Sequence, residues 1–256
     1  MISKNKIALV TGGASRIGRE ICLALSAMHY DVLIHFRQSS EQAEKTRLEC
    51  LAAGASQAKT ISCDFDLIGE RAKFIGEAIG VFGRIDLLVN NASMFEYDDA
   101  KTFTEAKFHE HLQSNYLAPL EFTMELFRLL NGLKKERAHV VTVLDQKVFN
   151  LNTDYMTYTL SKLAGHSSIR YLAQCCAPTL RVNAVAPGIT LASSDMSENI
   201  FEKAHKYAAL DSSSTPQDIA AAIIMLDSAP AITGQTIAVD GGQHLLPRAR
   251  DVAFEE

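Results

Sequence analysis

Residues 7–18 read I-A-L-V-T-G-G-A-S-R-I-G. Four apolar residues form a run too short for a helix, a glycine-rich turn follows at once, and an amphipathic segment over 16–28 opens behind it. A strand that meets a glycine turn and then a helix reads as the opening unit of a nucleotide-binding α/β sheet, the alternative being a turn with no ligand. Gly12 permits the tight turn, Gly18 lets the helix approach the strand, and the unpaired N–H groups at the helix start can hold a pyrophosphate.

The same alternation runs down the chain. Strands are expected at 31–36, 58–63, 85–90, 139–144, 180–185 and 236–239, and helices over 41–53, 67–81, 104–130 and 154–175. Repeated strand, helix, strand units require a parallel sheet, and the D-L-L-V core of 85–90 suits a strand buried on both faces. The expectation is an α/β fold, one doubly wound sheet of about seven parallel strands in a single domain over 1–256. Ligands of such sheets lie beyond the carboxyl ends of the strands. The polar stretch 188–215 is too long for a simple connection and carries a short amphipathic segment over 198–207, so it is expected to form a substrate lid.

Apolar residues make up 47% and charged residues 21%, with a net charge of −5 and no block of like charges. That balance argues against a nucleic-acid or anionic-membrane surface and for a small-molecule substrate. The five cysteines are odd in number and lack metal-ligand spacing, and the adjacent Cys175 and Cys176 read as helix filling. The first residues run straight into a strand, leaving no room for a leader, and no uncharged apolar run is long enough to span a membrane. A soluble, cytoplasmic protein is expected. The eight histidines form no metal set, so no metal is expected, and His109 and His111 are read as surface or interface residues.

Residues 145–162 read D-Q-K-V-F-N-L-N-T-D-Y-M-T-Y-T-L-S-K. In a helix, Tyr158 and Lys162 stand one above the other and present a phenol and an ammonium to the same space. At about 5 Å and an effective dielectric of about 20, the ammonium favours the phenolate by roughly 3 kcal/mol, lowering a phenol pKa by about two units before burial opposes it. Isolated pairs of this spacing also occur on solvated helix faces. At the end of the second strand, H-F-R-Q-S-S offers Arg37, Ser39 and Ser40 to a 2′-phosphate, where a carboxylate would select the unphosphorylated ribose. That pattern favours NADPH, although a solvated arginine at a strand end would read the same way.

Together with N-N-A-S at 90–93, Asn115 followed by Pro119, R-V-N-A-V-A-P-G at 181–188 and V-D-G-G at 239–242, these motifs resemble the short-chain dehydrogenase/reductase family over essentially the whole chain. The resemblance implies a Rossmann-type domain, a homotetramer built through the helices at 104–130 and 154–175, and Tyr158 as acid. It also implies Lys162 holding the nicotinamide ribose and lowering the tyrosine pKa, and Asn115 steadying a proton-relay water. Cofactor contacts are implied for Gly12, Arg16, Ile17, Gly18, Arg37, Ser39, Asp64, Asn91, Ser93, Lys162, Pro187 and Gly188.

Thirteen residues before the tyrosine, where the family pattern has a carbonyl-binding serine, stands Asp145. A carboxylate repels a developing alkoxide but suits a substrate that presents N–H donors. With R-I-G at 16–18, N-N-A-S-M-F at 90–95 and D-M at 195–196, the chain looks like the pteridine reductase and dihydromonapterin reductase branch. That branch implies hydride transfer from NADPH to a dihydropterin. Arg16, Ser93, Phe95, Asp145, Tyr158 and Met196 would line the substrate, with Phe95 stacked on the pterin. The alternative for Phe95 is core packing. The rival functions are a ketone or 3-oxoacyl reductase, which Asp145 disfavours, and a non-catalytic NADPH-binding sensor, which the Tyr158, Lys162 and Asn115 set disfavours.

Overall fold

The computed structural model describes residues 5–131, 137–192 and 196–254. The leader reading, which rests on the first residues, and Asp195 of the D-M pair lie outside the described residues.

Seven strands, β1 (Ile7–Val10), β2 (Asp31–Phe36), β3 (Ala58–Ser62), β4 (Leu87–Asn90), β5 (Ala138–Val143), β6 (Leu180–Pro187) and β7 (Thr236–Val239), pair in parallel in the order β3-β2-β1-β4-β5-β6-β7. Side chains alternate across the sheet: Ile7 and Leu9 enter a core with Phe65, Phe74, Phe122 and Leu126, while Ala8 and Val10 enter a second core with Ile21, Leu25, Ile219 and Ile223. Burial on both faces explains why the central strands β1 and β4 read as apolar runs rather than as apolar and polar in turn. The strand order reverses beside β1, between β2 and β4, which opens a crevice at the carboxyl ends.

The helices are α1 (Arg16–Ala27), α2 (Ser40–Ala53), α3 (Ile68–Arg71), α4 (Phe74–Phe82), α5 (Glu105–Leu112), α6 (Ala118–Asn131), α7 (Met156–Cys176), α8 (Glu198–His205) and α9 (Pro216–Ser228). None of them is long and apolar enough to cross a membrane.

Three sequence expectations are corrected here. The helix expected over 67–81 is two: Lys73 N–H bonds back to the Glu70 carbonyl in a tighter turn, and the buried Arg71 guanidinium is tied to Glu121, Gln113 and the Phe65 carbonyl. A buried guanidinium needs those partners, so their positions set where α3 stops. The helix expected over 104–130 is interrupted by a π-turn, Gln113–Leu117. Pro119 has no N–H to offer the Asn115 carbonyl, and the wider Ala118 N–H to Gln113 carbonyl bond takes over. His111 is not at the surface but fully buried between α5 and α7, accepting from Glu96 N–H and donating to Thr157 Oγ1 at 2.8 Å. Helix α9 had no counterpart among the expected elements. Its start was nonetheless marked by Thr215, Pro216 and Asp218, which form a reciprocal capping box with proline at the first turn.

At the amino ends of the strands, the buried Asp227 accepts from Lys6 Nζ at 2.9 Å, His139 Nδ1 at 3.1 Å, Arg181 Nη2 at 3.4 Å and the Tyr30 hydroxyl. Burial opposes the charge, but the bonds from His139, Tyr30 and Lys6 outweigh it and hold the carboxyl well below its usual range. Asp227→Ala is expected to destabilise the fold by about 3–5 kcal/mol, since removing one member strands the others. A folded-state pKa depressed in this way stabilises fully above the unfolded carboxylate pKa of ~3.9 and loses that contribution progressively as pH falls from there through the depressed folded value. Urea midpoints of the two proteins should therefore stay apart from neutral pH down to about pH 4 and converge only as the solution is acidified further.

Candidate active site

The crevice is a cleft of about 990 Å³ along the carboxyl ends of the strands. At its first end the glycine turn is tied down from three sides. Gly12 N–H bonds to His35 Nδ1 at 3.0 Å, Gly13 N–H to the His35 carbonyl at 2.9 Å, and Asn91 Nδ2 to the Thr11 and Gly12 carbonyls at 2.9 and 3.2 Å. His35 donates from Nε2 to the Cys63 carbonyl, and burial lowers its pKa to about 4, so it stands as a neutral strut under the turn. A Cβ at Gly18 would meet the Gly12 carbonyl oxygen at 2.1 Å, and one at Gly188 the Ser213 hydroxyl at 2.3 Å. Both glycines are required for these close approaches. With Gly12 and Gly13 engaged by His35, the N–H groups of Arg16, Ile17 and Gly18 in the first turn of α1 are the ones with no earlier helical carbonyl to bond, and that turn carries no acidic side chain.

Arg37, just past β2, lines the cleft together with Asp64 and Asp66 and pairs with Asp66 at 3.2 Å, both side chains more than half exposed. Ser39 does not line the cleft. The chain turns into α2 at that point, with Ser40 N–H bonded to the Gln38 carbonyl, and leaves Ser39 exposed at the helix cap.

At the centre, Tyr158 and Lys162 of α7 are both buried, with the ammonium 5.5 Å from the ring centre. The Tyr158 hydroxyl donates to Asp145 Oδ2 at 2.8 Å, and Lys147 N–H donates to Asp145 Oδ1 at 2.8 Å. Lys162 Nζ bonds to the Val143 carbonyl at 3.0 Å. These contacts reverse the expected tuning. Burial, then the charge and hydrogen bond of Asp145, push Tyr158 well above its ordinary pKa. Burial also raises Asp145, and it lowers Lys162 to about 8 against the pull of Asp145. The charge nearest the phenol is the carboxylate, not the ammonium.

Asn115 is buried in the π-turn. Its Oδ1 accepts from Ser93 Oγ at 3.0 Å and Met94 N–H at 2.8 Å, and its Nδ2 donates to the Met94 carbonyl and Ser161 Oγ, each at 3.0 Å. An amide side chain has two donor hydrogens and two acceptor lone pairs, and all are used. The side chain therefore holds the 93–94 segment against α7.

Toward the far end, Phe95 is 44% exposed and is not core; it stacks on Tyr155 at 4.3 Å and meets Tyr158 edge-on at 4.7 Å. Ser93, Met196, Pro187 and Gly188 line the same cleft. Arg16, with φ of 53°, sends its Nη2 to the Ala192 carbonyl at 2.9 Å and so joins the glycine turn to the 188–215 segment.

A family profile described as short chain dehydrogenase matches residues 6–205. The chain belongs to the short-chain dehydrogenases. Over 247 residues it is 30% identical to a protein of Streptomyces violaceoruber assigned as ketoacyl reductase 2 of the granaticin polyketide synthase, a match spanning 94% of this chain and 96% of that one. Two solved structures are each 33% identical to it. FolM alternative dihydrofolate reductase 1 from Brucella suis, in complex with NADP, has a TM-score of 0.89 over 97% of this chain and 98% of that one. The Brucella canis protein of the same name, complexed with NADP, has a TM-score of 0.86 over 94% and 95%.

In this short-chain dehydrogenase, four residues that the sequence reading passed over also border the cleft: His35, Lys147, Tyr155 and Asp251. His35 had a positional signal, since it lies inside a strand at the foot of the glycine turn. Asp251 had none, being far from every motif in sequence.

Proposed function

We propose that this short-chain dehydrogenase is an NADPH-dependent reductase acting on a dihydropterin, adding hydrogen across a C=N bond to give a tetrahydropterin. The observation that carries the reading is Asp145: a carboxylate, engaged by the Tyr158 hydroxyl, stands at the cleft wall where reduction of a ketone calls for a hydrogen-bond donor to the forming alkoxide. A carboxylate accepts hydrogen bonds from ring and amino N–H groups, which a pterin edge supplies. The FolM structures, named as alternative dihydrofolate reductases and complexed with NADP, support the same direction.

The residues present fit a nicotinamide dinucleotide. Gly12, Gly18 and Gly188 line the cleft with no side chain, the α1 start offers free N–H groups, and Arg16 and Arg37 supply cations. NADPH, when bound, supplies the hydride to the C=N carbon. Asp145 orients the ring through its N–H groups, Phe95 offers an aromatic face, and Tyr158 delivers the proton to the ring nitrogen. The Asp145–Tyr158 pair shares one proton and one negative charge, and the Lys162 ammonium offsets the charge left when the proton goes. Ser93, Met196 and the 188–215 segment close the substrate end, and Asn91, Asp64 and Pro187 border the cofactor. We further propose a cytoplasmic homotetramer assembled through α5, α6 and α7, where Leu129, Leu160 and Tyr171 are exposed.

A second reading, reduction of a 3-oxoacyl thioester, is favoured by the name of the Streptomyces relative. NADPH oxidation over a panel of a dihydropterin, dihydrofolate, an oxidised pterin and a β-ketoacyl thioester separates the two. Turnover of the thioester alone excludes the pterin reading, and cofactor binding without turnover of any member would mark a sensor.

The cofactor choice has its own test. An exposed ion pair such as Arg37–Asp66 is worth little, so Arg37 is available to a phosphate. Arg37→Asp should weaken NADPH by about 2–3 kcal/mol, through one lost charge-assisted contact and one added repulsion, with NADH almost unaffected in parallel titrations. Equal losses for both would assign Arg37 to the fold.

A further inference from the structure

The chain beyond β7 returns across the substrate end of the cleft, where Asp251, Val252 and Ala253 join its lining. It is held at two points. Lys147 Nζ meets Asp251 Oδ2 at 2.7 Å with the two side chains only 3% and 14% exposed, and Arg250 Nε meets Asp154 Oδ2 at 2.8 Å. Asp251 N–H also donates to Asp154 Oδ2 at 2.7 Å, and the Phe254 ring lies beside Tyr155 and edge-on to Tyr97, with centroids 5.9 and 5.2 Å away. Tyr155 in turn stacks on Phe95, so the segment is continuous with the aromatic wall of the site.

Lys147 is the keystone of this arrangement. Its ammonium has three donors, and Asp251, Asn152 Oδ1 at 2.7 Å and the Asp154 carbonyl at 3.5 Å take them. It has no proton left for a substrate, while its backbone N–H holds Asp145. A buried ammonium with this many partners is a device for position, because losing one partner leaves an uncompensated charge.

We propose that residues 250–254 form a strap that closes the substrate end of the cleft in cis, with Asp251 as a specificity-determining residue that acts by anchoring the strap on Lys147. The strap confines the site to a flat ring lying against Phe95 and bars a flexible acyl chain from the same space. The identity of the ring rests on the pterin reading; the strap does not.

The test is Asp251→Asn, which keeps shape and removes the anchoring charge, beside Asp251→Glu and a second variant at the outer clamp, Arg250→Gln with Phe254→Ala. For Asp251→Asn we expect KM for the dihydropterin to rise by about tenfold or more, as for loss of a charge-assisted contact, with kcat changed by less than about threefold and NADPH affinity within about twofold. Thioester turnover relative to dihydropterin should rise, Asp251→Glu should recover part of the KM, and the outer-clamp variant should move in the same direction by less. An unchanged KM in Asp251→Asn overturns the strap. So does a joint loss of KM, NADPH affinity and melting temperature, which would mean a purely structural pair. If the wild-type protein reduces no dihydropterin, the functional reading fails instead; the strap is then judged by the same KM criterion on the panel member that is reduced, or, if none is, by the affinity of an oxidised pterin measured from its own fluorescence.

Discussion

Tyr158→Phe is expected to lower dihydropterin turnover by about two to four orders of magnitude, the usual worth of a positioned proton donor, while NADPH affinity stays within about twofold. The ring is buried and packed edge-on against Phe95, so phenylalanine fills the same space and only the hydroxyl bonded to Asp145 is lost. The pH dependence of the wild-type protein distinguishes this site from one whose tyrosine is tuned toward neutrality. Burial and the Asp145 charge raise the phenol, so it keeps its proton throughout the neutral and mildly alkaline range. Lys162 is different: burial lowers it to about 8, so its charge is present below that pH and lost above it. The kcat/KM for NADPH, which reports groups on the free protein, should therefore decline through about pH 8. In Lys162→Arg that decline should vanish, because a guanidinium does not titrate in this range, whatever the variant's absolute rate. A limb that persists in Lys162→Arg would assign it to another group.

Asp145→Ser should reduce dihydropterin turnover by between one and three orders of magnitude. Each ring donor left unpaired costs about 1–3 kcal/mol, more when the lost acceptor is charged, and about 1.4 kcal/mol is a factor of ten. The change also frees Tyr158, whose hydroxyl donates to this carboxylate, and its pKa should fall as the neighbouring charge goes. Activity on a simple ketone should hold or rise, since serine restores the hydroxyl donor that a carbonyl site uses. The measurement is kcat/KM for both substrates in wild type and variant. Unchanged dihydropterin reduction would remove the main physical support for the pterin reading, leaving the likeness to the FolM structures.

Much of this site was readable because its signals are local. The glycine turn follows a strand and opens a helix within a dozen residues, and its glycines are needed for contacts with neighbours close in the fold, such as the Gly12 carbonyl beneath Gly18. Tyr158 and Lys162 share a face because helix periodicity puts them there, and Asp145 follows β5 by two residues, so the carboxyl end of that strand delivers it to the crevice. The parallel sheet was legible for a related reason. Strands buried on both faces must be apolar throughout, and parallel strands must be separated by a crossover long enough to show as a helix.

What escaped was set by chain segments that meet only in three dimensions. The state of the tyrosine depends on which charge is nearest after burial; the i,i+4 lysine turns its ammonium to the Val143 carbonyl, and the carboxylate from β5 takes the hydroxyl. Asn115 was legible as a kink residue before Pro119, but its amide is consumed by partners from the 93–94 segment and α7. Lys147 and Asp251 stand far apart along the chain, and no periodicity couples them. Pattern in the chain thus established the sheet, the glycine turn and the identity of the central side chains, because each follows from backbone geometry over a few residues. Protonation states, the saturation of Asn115 and the C-terminal wall of the cleft came from the packed fold, because desolvation and hydrogen-bond competition depend on every group that packing brings within a few ångströms, whatever its place in the sequence.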